Sequence, residues 1–451
     1  MRDFNELKTN IFNKAIEAGV EDVEIYYSQG RDLNIKVFQS EIDGYKLAEA
    51  EGLGLRGKYN GEMGYSYTEK VDDTSVEFLV ENLIENAKNI DREDKEEIFE
   101  GSKKYKEVNN FNDSLEKVEE IEKINFVKNL EKEALELDER IKSIQDCVYG
   151  DGFSETVISN TKGLDIKDKS NLAYTYVGVV AKEEEDIQSG FAYKVTNDFK
   201  ELNYKAIARE AVDEAISMLG AKSIKSGKYP VILRNNASAD ILEAFTSVFS
   251  AERVQKNLSL LKDKLHEKIA SEKITLVDDP FMEKGYSSSG FDSEGVPTKE
   301  KNVIKNGQLN TYLHNLKTAY KDGIESTGNA SRSSYKSSIG ISPTNMYIKP
   351  GDKKLDDLIK EVEEGLLITD VQGLHAGLNP ISGDFSLSAQ GFLIKEGKIK
   401  DPVNQITISG NFLEMLKNVD EVGEDLRFGL PSSAYIGSPS LKIKSLDIAG
   451  E

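Results

Sequence analysis

Apolar residues in the first part of the chain recur at helical spacing, then alternate, then return to helical spacing. Phe4, Leu7, Ile11, Phe12, Ala15 and Ile16 predict a helix, and Gly19 supplies its stop. Alternation follows in Val23-Glu24-Ile25-Tyr26-Tyr27 and in Leu33-Asn34-Ile35-Lys36-Val37, the period of half-buried strands. Asp43-Gly44 and Asn60-Gly61 are turn dipeptides expected between these and two further strands, Gly52 to Gly57 and Met63 to Thr68. Val76 to Ile90 is helical again through Phe78, Leu79, Leu83, Ile84 and Ala87.

The same order then recurs. A charged stretch poor in apolar residues, Asp91 to Val108, precedes a predicted helix from Ser114 to Asp138. Strand-like runs follow at Ile141 to Tyr149, Glu155 to Ser159, Leu172 to Ala181 and Ser189 to Val195, with a closing helix over Tyr204 to Leu219. Gly64-Tyr65-Ser66-Tyr67 and Gly190-Phe191-Ala192-Tyr193 occupy matching places in the two stretches. A duplication accounts for this, and so does the texture that any two α+β segments share. From Gly227-Lys228-Tyr229-Pro230 onward the pattern changes. A short apolar strand (Val231-Ile232-Leu233) leads into a helix, Ala237 to Gln255, and strands dominate thereafter, with turns at Asn306-Gly307, Pro350-Gly351, Ser382-Gly383 and Glu396-Gly397. The expected fold is α+β: two similar helix–antiparallel meander–helix units over residues 1–100 and 110–222, a boundary near residues 220–228, and a large β-rich C-terminal domain over 225–451.

Charge and composition narrow the function. Lys and Arg number 58 against 80 Asp and Glu, a net charge of −22, which repels DNA phosphate and anionic membranes and argues against direct nucleic-acid binding. A lone cysteine, Cys147, suits a reducing compartment. The first residues are polar, and the apolar runs are too short to span a bilayer, so a cytoplasmic location is expected.

Only three histidines occur, His266, His314 and His375, and none lies near another in sequence. His266-Glu267 lacks the second histidine one turn later that a zinc-protease helix requires, since positions 270 and 271 are Ala and Ser, and it reads as a solvent-facing pair in a Lys-rich helix. His314 and His375 sit in loops. The more distinctive block is Phe291-Asp292-Ser293-Glu294-Gly295-Val296-Pro297-Thr298. Its carboxylates, two residues apart, point to one side of an extended backbone before a Gly-Val-Pro turn. Two roles are open there: bonding backbone amides within the turn, or contacting a substrate.

That block, with Asn302 to Leu309, Gly323 to Ala330, Asn345 to Gly351, Gly383-Asp384-Phe385-Ser386, Gly391 to Ile394 and Gly437 to Ile443, resembles the TldD/PmbA family, long labelled modulators of DNA gyrase. The similarity runs over essentially the whole chain. It implies a metallopeptidase family whose TldD branch carries a His-Glu-x-x-x-His helix and a third, cysteine, ligand near the C-terminus. The matching helix here reads Leu242-Glu243-Ala244-Phe245-Thr246-Ser247, and Pro431 to Gly437 contains no cysteine. Glu243 keeps the motif's glutamate, while Leu242 and Ser247 replace both histidines, so no metal ligand and no catalytic residue is expected in this chain.

The departure implies the PmbA (TldE-like) branch: a metal-free subunit, with zinc in a TldD-like partner, acting on unfolded peptides. Asp292, Glu294 and Gly295 are the candidates for residues near a shared channel. Two alternatives stand beside this reading. One is a self-sufficient homodimeric hydrolase using Glu243 as base with His375 or His314 from across the interface. The other is a non-enzymatic protein that binds a partner such as gyrase.

Overall fold

The computed structural model describes residues 4–89, 95–432 and 434–451. Helix α1 (Phe4–Glu17) buries Leu7, Ile11 and Ala15, and Gly19 ends it with a φ of +89°. The two alternating runs that follow belong to one strand, β1 (Val23–Phe38), which turns directly into β2 (Glu41–Tyr59). The chain reverses at Gln39-Ser40, both with positive φ, and not at Asp43-Gly44. Gly44 sits inside β2 opposite Lys36, because pairing continues unbroken in direction from Val23–Gly57 to Phe38–Glu41 and leaves only two residues for the turn. Asn60-Gly61 does close the next hairpin onto β3 (Glu62–Thr68), with φ of 52° and 80°. Helix α2 (Val76–Asn89) then packs back on the meander; Ile90, its predicted last residue, lies outside the described residues.

The second unit repeats this plan. Its predicted first helix is split into α3 (Asp113–Glu116) and α4 (Glu120–Glu136), because Asn112 accepts the Ser114 N–H and caps a single turn. Then come β4 (Ile141–Asn160), β5 (Asp165–Glu183), β6 (Asp186–Thr196) and α5 (Tyr204–Ser217). β1 and β4 pair antiparallel from Glu24–Asn160 to Lys36–Val148, which fuses the meanders into one six-stranded sheet, β3-β2-β1-β4-β5-β6. The halves are thus related by an approximate two-fold between β1 and β4. Gly64 and Gly190 have the same task in each half. A Cβ on Gly64 would lie 2.1 Å from the Leu83 carbonyl oxygen of α2, and one on Gly190 2.1 Å from the Ala211 carbonyl oxygen of α5. The missing side chains let each closing helix lie directly on its edge strand.

The C-terminal domain starts with β7 (Gly227–Leu233) and α6 (Asn235–Phe245). The predicted single helix to Gln255 is broken: α6 tightens into a 3₁₀ turn at Thr246–Phe249, where the Thr246 hydroxyl bonds the Glu243 carbonyl, before α7 (Ala251–Gln255). Next along the chain are β8 (Leu276–Asp278), β9 (Lys301–Lys305), β10 (Gln308–Leu309) and α8 (Leu316–Asp322). A small hairpin of β11 (Ala330–Ser331) and β12 (Gly340–Ile341) precedes β13 (Asn345–Ile348) and α9 (Leu355–Lys360). β14 (Glu364–Gln372), β15 (Asp384–Lys395) and β16 (Lys398–Asn411) form a meander that α10 (Phe412–Lys417) ends. The last strands are β17 (Val419–Val422), β18 (Arg427–Phe428), β19 (Tyr435–Ser438) and β20 (Leu441–Ala449).

These strands make two larger sheets. One has the order β16-β15-β14-β7-β20-β17, and an extra pairing of β16 with β20 closes it into a ring; the other is β10-β9-β8-β13-β19-β18. Helix α6 is buried beside both, with Ala237, Ile241, Leu242 and Phe245 in a core that includes Val231, Leu366 and Ile436. The fold therefore pins α6 rigidly, close to the edge strands β6 and β18. No helix among the described residues is long and apolar enough to cross a membrane.

Candidate functional site

Helix α6 divides its residues by environment. Leu242 is 3 % exposed and packs in the core, whereas Glu243, the next residue, turns outward. Its Oε1 accepts a 2.6 Å hydrogen bond from the Ser432 hydroxyl. The loop from Gly429 to Ser432 thus lies on α6, at the place where sequence reasoning looked for a C-terminal ligand.

Glu243 opens onto a cavity of about 410 Å³ between the second unit and the C-terminal domain. Asp240 and Glu243 come from α6, Asp370 from β14, Arg427 from β18, and Phe191 and Tyr193 from β6. The two arginines of its wall are already paired. Arg427 Nη1 lies 2.6 Å from Glu210 Oε1, and Arg234 bonds Glu214. Arg427 also stacks over the Tyr193 ring at 4.7 Å, and the Tyr193 hydroxyl donates to the Phe428 carbonyl oxygen at 2.7 Å. Burial, with Asp370 and Glu243 close by, pushes the Asp240 carboxyl up to about 7. Burial likewise raises Asp370. The cavity is an acidic, half-buried space whose two arginines are paired with carboxylates of the same wall, Glu210 and Glu214.

A line of aromatic rings leads away from it across the sheet face opposite the helices. Phe191 lies 6.1 Å from Tyr193, Tyr176 5.6 Å from Phe191, and Tyr174 6.4 Å from Tyr176. Tyr174 lies flat because Gly150, directly opposite on β4, has no side chain; a Cβ there would come within 2.3 Å of the ring. The Tyr174 end borders a larger cavity of about 710 Å³, walled also by Asp32, Asn34, Lys46 and Leu430. Leu430 belongs to both cavities, so the 429–432 loop stands between them.

The block Phe291 to Thr298 is placed elsewhere. Asp292 Oδ1 accepts the N–H groups of Glu294 and Val296 at 2.9 and 3.1 Å, and Oδ2 accepts that of Ala330 at 3.0 Å. Glu294 Oε2 accepts the Leu316 N–H at 2.8 Å, and its Oε1 stands 3.6 Å from Arg56 Nη1. Burial and then the neighbouring Glu294 raise Asp292 to about 8, and burial raises Glu294. Gly295 has a φ of +79°, and its carbonyl accepts the Tyr105 hydroxyl at 2.9 Å. The carboxylates bond backbone amides, and none of the three residues lines the α6 cavity.

The histidines do not meet either. His266 lies in an exposed turn with a φ of +69°, not in a helix. His375 is exposed, and His314 is buried with no partner for its Nδ1. Neither lines the α6 cavity, and no group of three His, Cys, Asp or Glu able to hold a metal occurs among the described residues. A zinc site needs three well-aimed nitrogen, sulfur or carboxylate donors. The two positions where the motif carries histidines hold a core leucine, Leu242, and Ser247, and the hydroxyl on Glu243 is that of Ser432, so this donor set does not fit zinc.

Sequence reasoning reached Glu243 but missed Asp240, Asp370, Tyr193 and Arg427. Asp240 lies three residues before Glu243 on α6, a spacing that puts both on one helix face and was a usable signal; Asp370, Tyr193 and Arg427 come from β14, β6 and β18 and converge only in three dimensions.

Comparison with known proteins bears on this geometry. Three successive domain profiles of one family match: "PmbA/TldA metallopeptidase domain 1" over residues 23–87, the "central domain" over 113–219 and the "C-terminal domain" over 226–450. A Thermotoga maritima crystal structure, described as a putative modulator of a DNA gyrase, superposes with a TM-score of 0.92 at 37% identity, covering 99% of this chain and 100% of that one. TldE from Thermococcus kodakarensis superposes with a TM-score of 0.91 at 27% identity, covering 98% and 100%. A metalloprotease of Methanocaldococcus jannaschii is 29% identical over 97% of this chain and 96% of its own length.

Proposed function

The chain belongs to the PmbA/TldD metallopeptidase family, and we propose that it is the metal-free half of a peptidase assembly, holding an unfolded peptide while a zinc-bearing relative cleaves it. The observation that carries this reading is the register of α6. The helix lines a cavity beside the strand edges β6 and β18, yet position 242 is a leucine in the core and position 247 a serine, where the zinc-bearing branch would carry histidines. Glu243 is kept, bound to Ser432.

The residues of this chain suit peptide holding. Flat rings at Tyr174, Tyr176 and Phe191 offer sequence-tolerant apolar contact. β6, the edge of the six-stranded sheet, offers main-chain hydrogen bonds to an extended strand. The two cavities give room for side chains on either side of the 429–432 loop. Such contacts read the backbone more than the sequence, as an unfolded substrate requires.

The test is to purify the chain alone, measure its zinc by atomic emission, and assay cleavage of an unfolded peptide with and without a TldD-like chain. Neither zinc nor cleavage is expected from the chain alone, and cleavage is expected once the relative is added. Stoichiometric zinc with robust cleavage by the isolated chain would overturn the proposal.

A further inference from the structure

A different cavity, of about 230 Å³, lies between the first unit and a strap of the C-terminal domain, residues 332–338. Two glycines of β2 seat that strap. A Cβ on Gly52 would fall 2.2 Å from the Tyr335 ring, and one on Gly54 2.4 Å from the Tyr335 carbonyl oxygen. The cavity's polar lining is cationic and neutral: Arg56, Arg332, Lys336, Asn86 and the hydroxyls of Ser66 and Ser338, with no carboxylate among the described residues that line it. In a chain of net charge −22 such a lining is unexpected.

The two arginines are nearly sealed, with side chains 2 % and 4 % exposed. Both bond one carboxylate. Glu24 Oε1 and Oε2 take Arg56 Nε and Nη2 at 2.7 and 2.9 Å, and Arg332 Nη2 reaches Oε1 at 2.6 Å. The other nearby acid, Glu294, stands 3.6 Å from Arg56, and burial raises its carboxyl. Arg332 stacks on Tyr26 at 4.5 Å, and its Nε–H is buried with no acceptor. Lys336, 45 % exposed, stands at the mouth beside Glu69. The carboxylates Glu24, Glu294 and Glu69 match the three cations in number, but none of them lines the cavity, and the Arg332 Nε–H is left without an acceptor.

We propose that this cavity binds an oxyanion, a carboxylate or phosphate group, against the Arg56–Arg332 pair with Lys336 closing over it. Planar guanidiniums match the two oxygens of such groups, and the cavity is large enough for the group together with a short stem. The inference is independent of the proposed peptidase role.

Calorimetric titrations of the full chain at low salt would use inorganic phosphate, a short peptide with a free C-terminal carboxylate, and the same peptide amidated. Saturable binding of phosphate, or of the free peptide but not its amide, is expected, and the responding arm identifies the source of the group. Arg332→Met is the direct variant, but it can unfold the strap. Lys336→Glu and Asn86→Leu alter exposed residues and should weaken binding at least tenfold with the circular dichroism spectrum unchanged. Glu69→Gln, which frees Lys336, should strengthen it. If neither oxyanion saturates, or if Lys336→Glu and Asn86→Leu bind as the parent does, the proposal fails.

Discussion

Replacing Asp240 by asparagine should stabilise the protein in mild alkali and leave it unchanged in acid. Burial first, and then Asp370 and Glu243, carry this carboxyl from its ordinary 3.8 to about 7 against the opposing pull of Arg427. The unfolded chain releases the proton near 3.8 and the folded chain only near 7. Between these values the folded state holds more protons than the unfolded, so stability falls as pH rises. A separation of roughly three pH units at about 1.36 kcal/mol each sets a ceiling of about 4 kcal/mol. Asparagine cannot ionise and escapes that loss. The difference between variant and parent should therefore grow from near zero at about pH 4 to roughly 2–4 kcal/mol by about pH 8, and stay constant above. Urea titrations followed by circular dichroism at closely spaced pH values would trace it, since the chain has no tryptophan to report by fluorescence. A difference that stays flat from acid to alkali would refute the description of Asp240 as a carboxyl crowded by other carboxyls. The same titration with a basic peptide present should shrink the difference, because a cation in the cavity favours ionised Asp240.

Three further perturbations test other parts of the structure. Gly64→Ala and Gly190→Ala each force a Cβ against a helix carbonyl 2.1 Å away and should cost at least ~2 kcal/mol in denaturant unfolding; near-neutral effects would deny the close helix–strand approach. Arg332→Met leaves buried Glu24 with Arg56 as its remaining partner and should cost about 3 kcal/mol, with new proteolytic cuts within residues 331–338; an unchanged digestion pattern would count against the strap as a brace. Burial lowers the proton affinity of His314, so the unfolded chain binds a proton below about 6.5 that the folded chain refuses, and stability drops as pH falls through that value. His314→Gln should flatten this acid slope, and an identical slope in both proteins would contradict it.

The helices and strands were legible in the sequence where one periodicity ran without competition. α1, α2 and α5 start and stop within a few residues of the apolar pattern, and Asn60-Gly61 forms its hairpin. Errors arose where a strong local signal met a stronger tertiary one. Asp43-Gly44 is a good turn sequence, yet β2 absorbs it as a bulge, with Asp43 unpaired between Lys36–Gly44 and Val37–Ile42, and the chain turns earlier, at Gln39-Ser40. The two runs Ile141 to Tyr149 and Glu155 to Ser159 are one strand, β4, which continues through the gap between them, where Gly150 makes room for a neighbouring tyrosine ring. At the site, Leu242, Glu243 and Ser247 could be found because the family resemblance supplies a short contiguous motif, which here runs from α6 into the 3₁₀ turn. Asp370, which shares the cavity with Glu243, arrives from another strand. For Asp292 and Glu294 the sequence leaves two roles open, and in the structure their oxygens accept main-chain N–H groups.

The ring of strands in the C-terminal domain has a consequence for synthesis. β7 is made early in that domain, but its partners in the ring are β14 and β20, and Leu233 pairs with Leu441 ten residues from the end of the chain. At ribosomal speeds the wait between them is roughly ten to forty seconds. Throughout it the strand that leads into α6 shows one unpaired edge, while the six-stranded sheet upstream can already be complete. A newborn chain is thus a finished N-terminal platform trailing an unclosed barrel. Chaperone dependence, and damage from truncating the last strand, should concentrate in the half that carries α6.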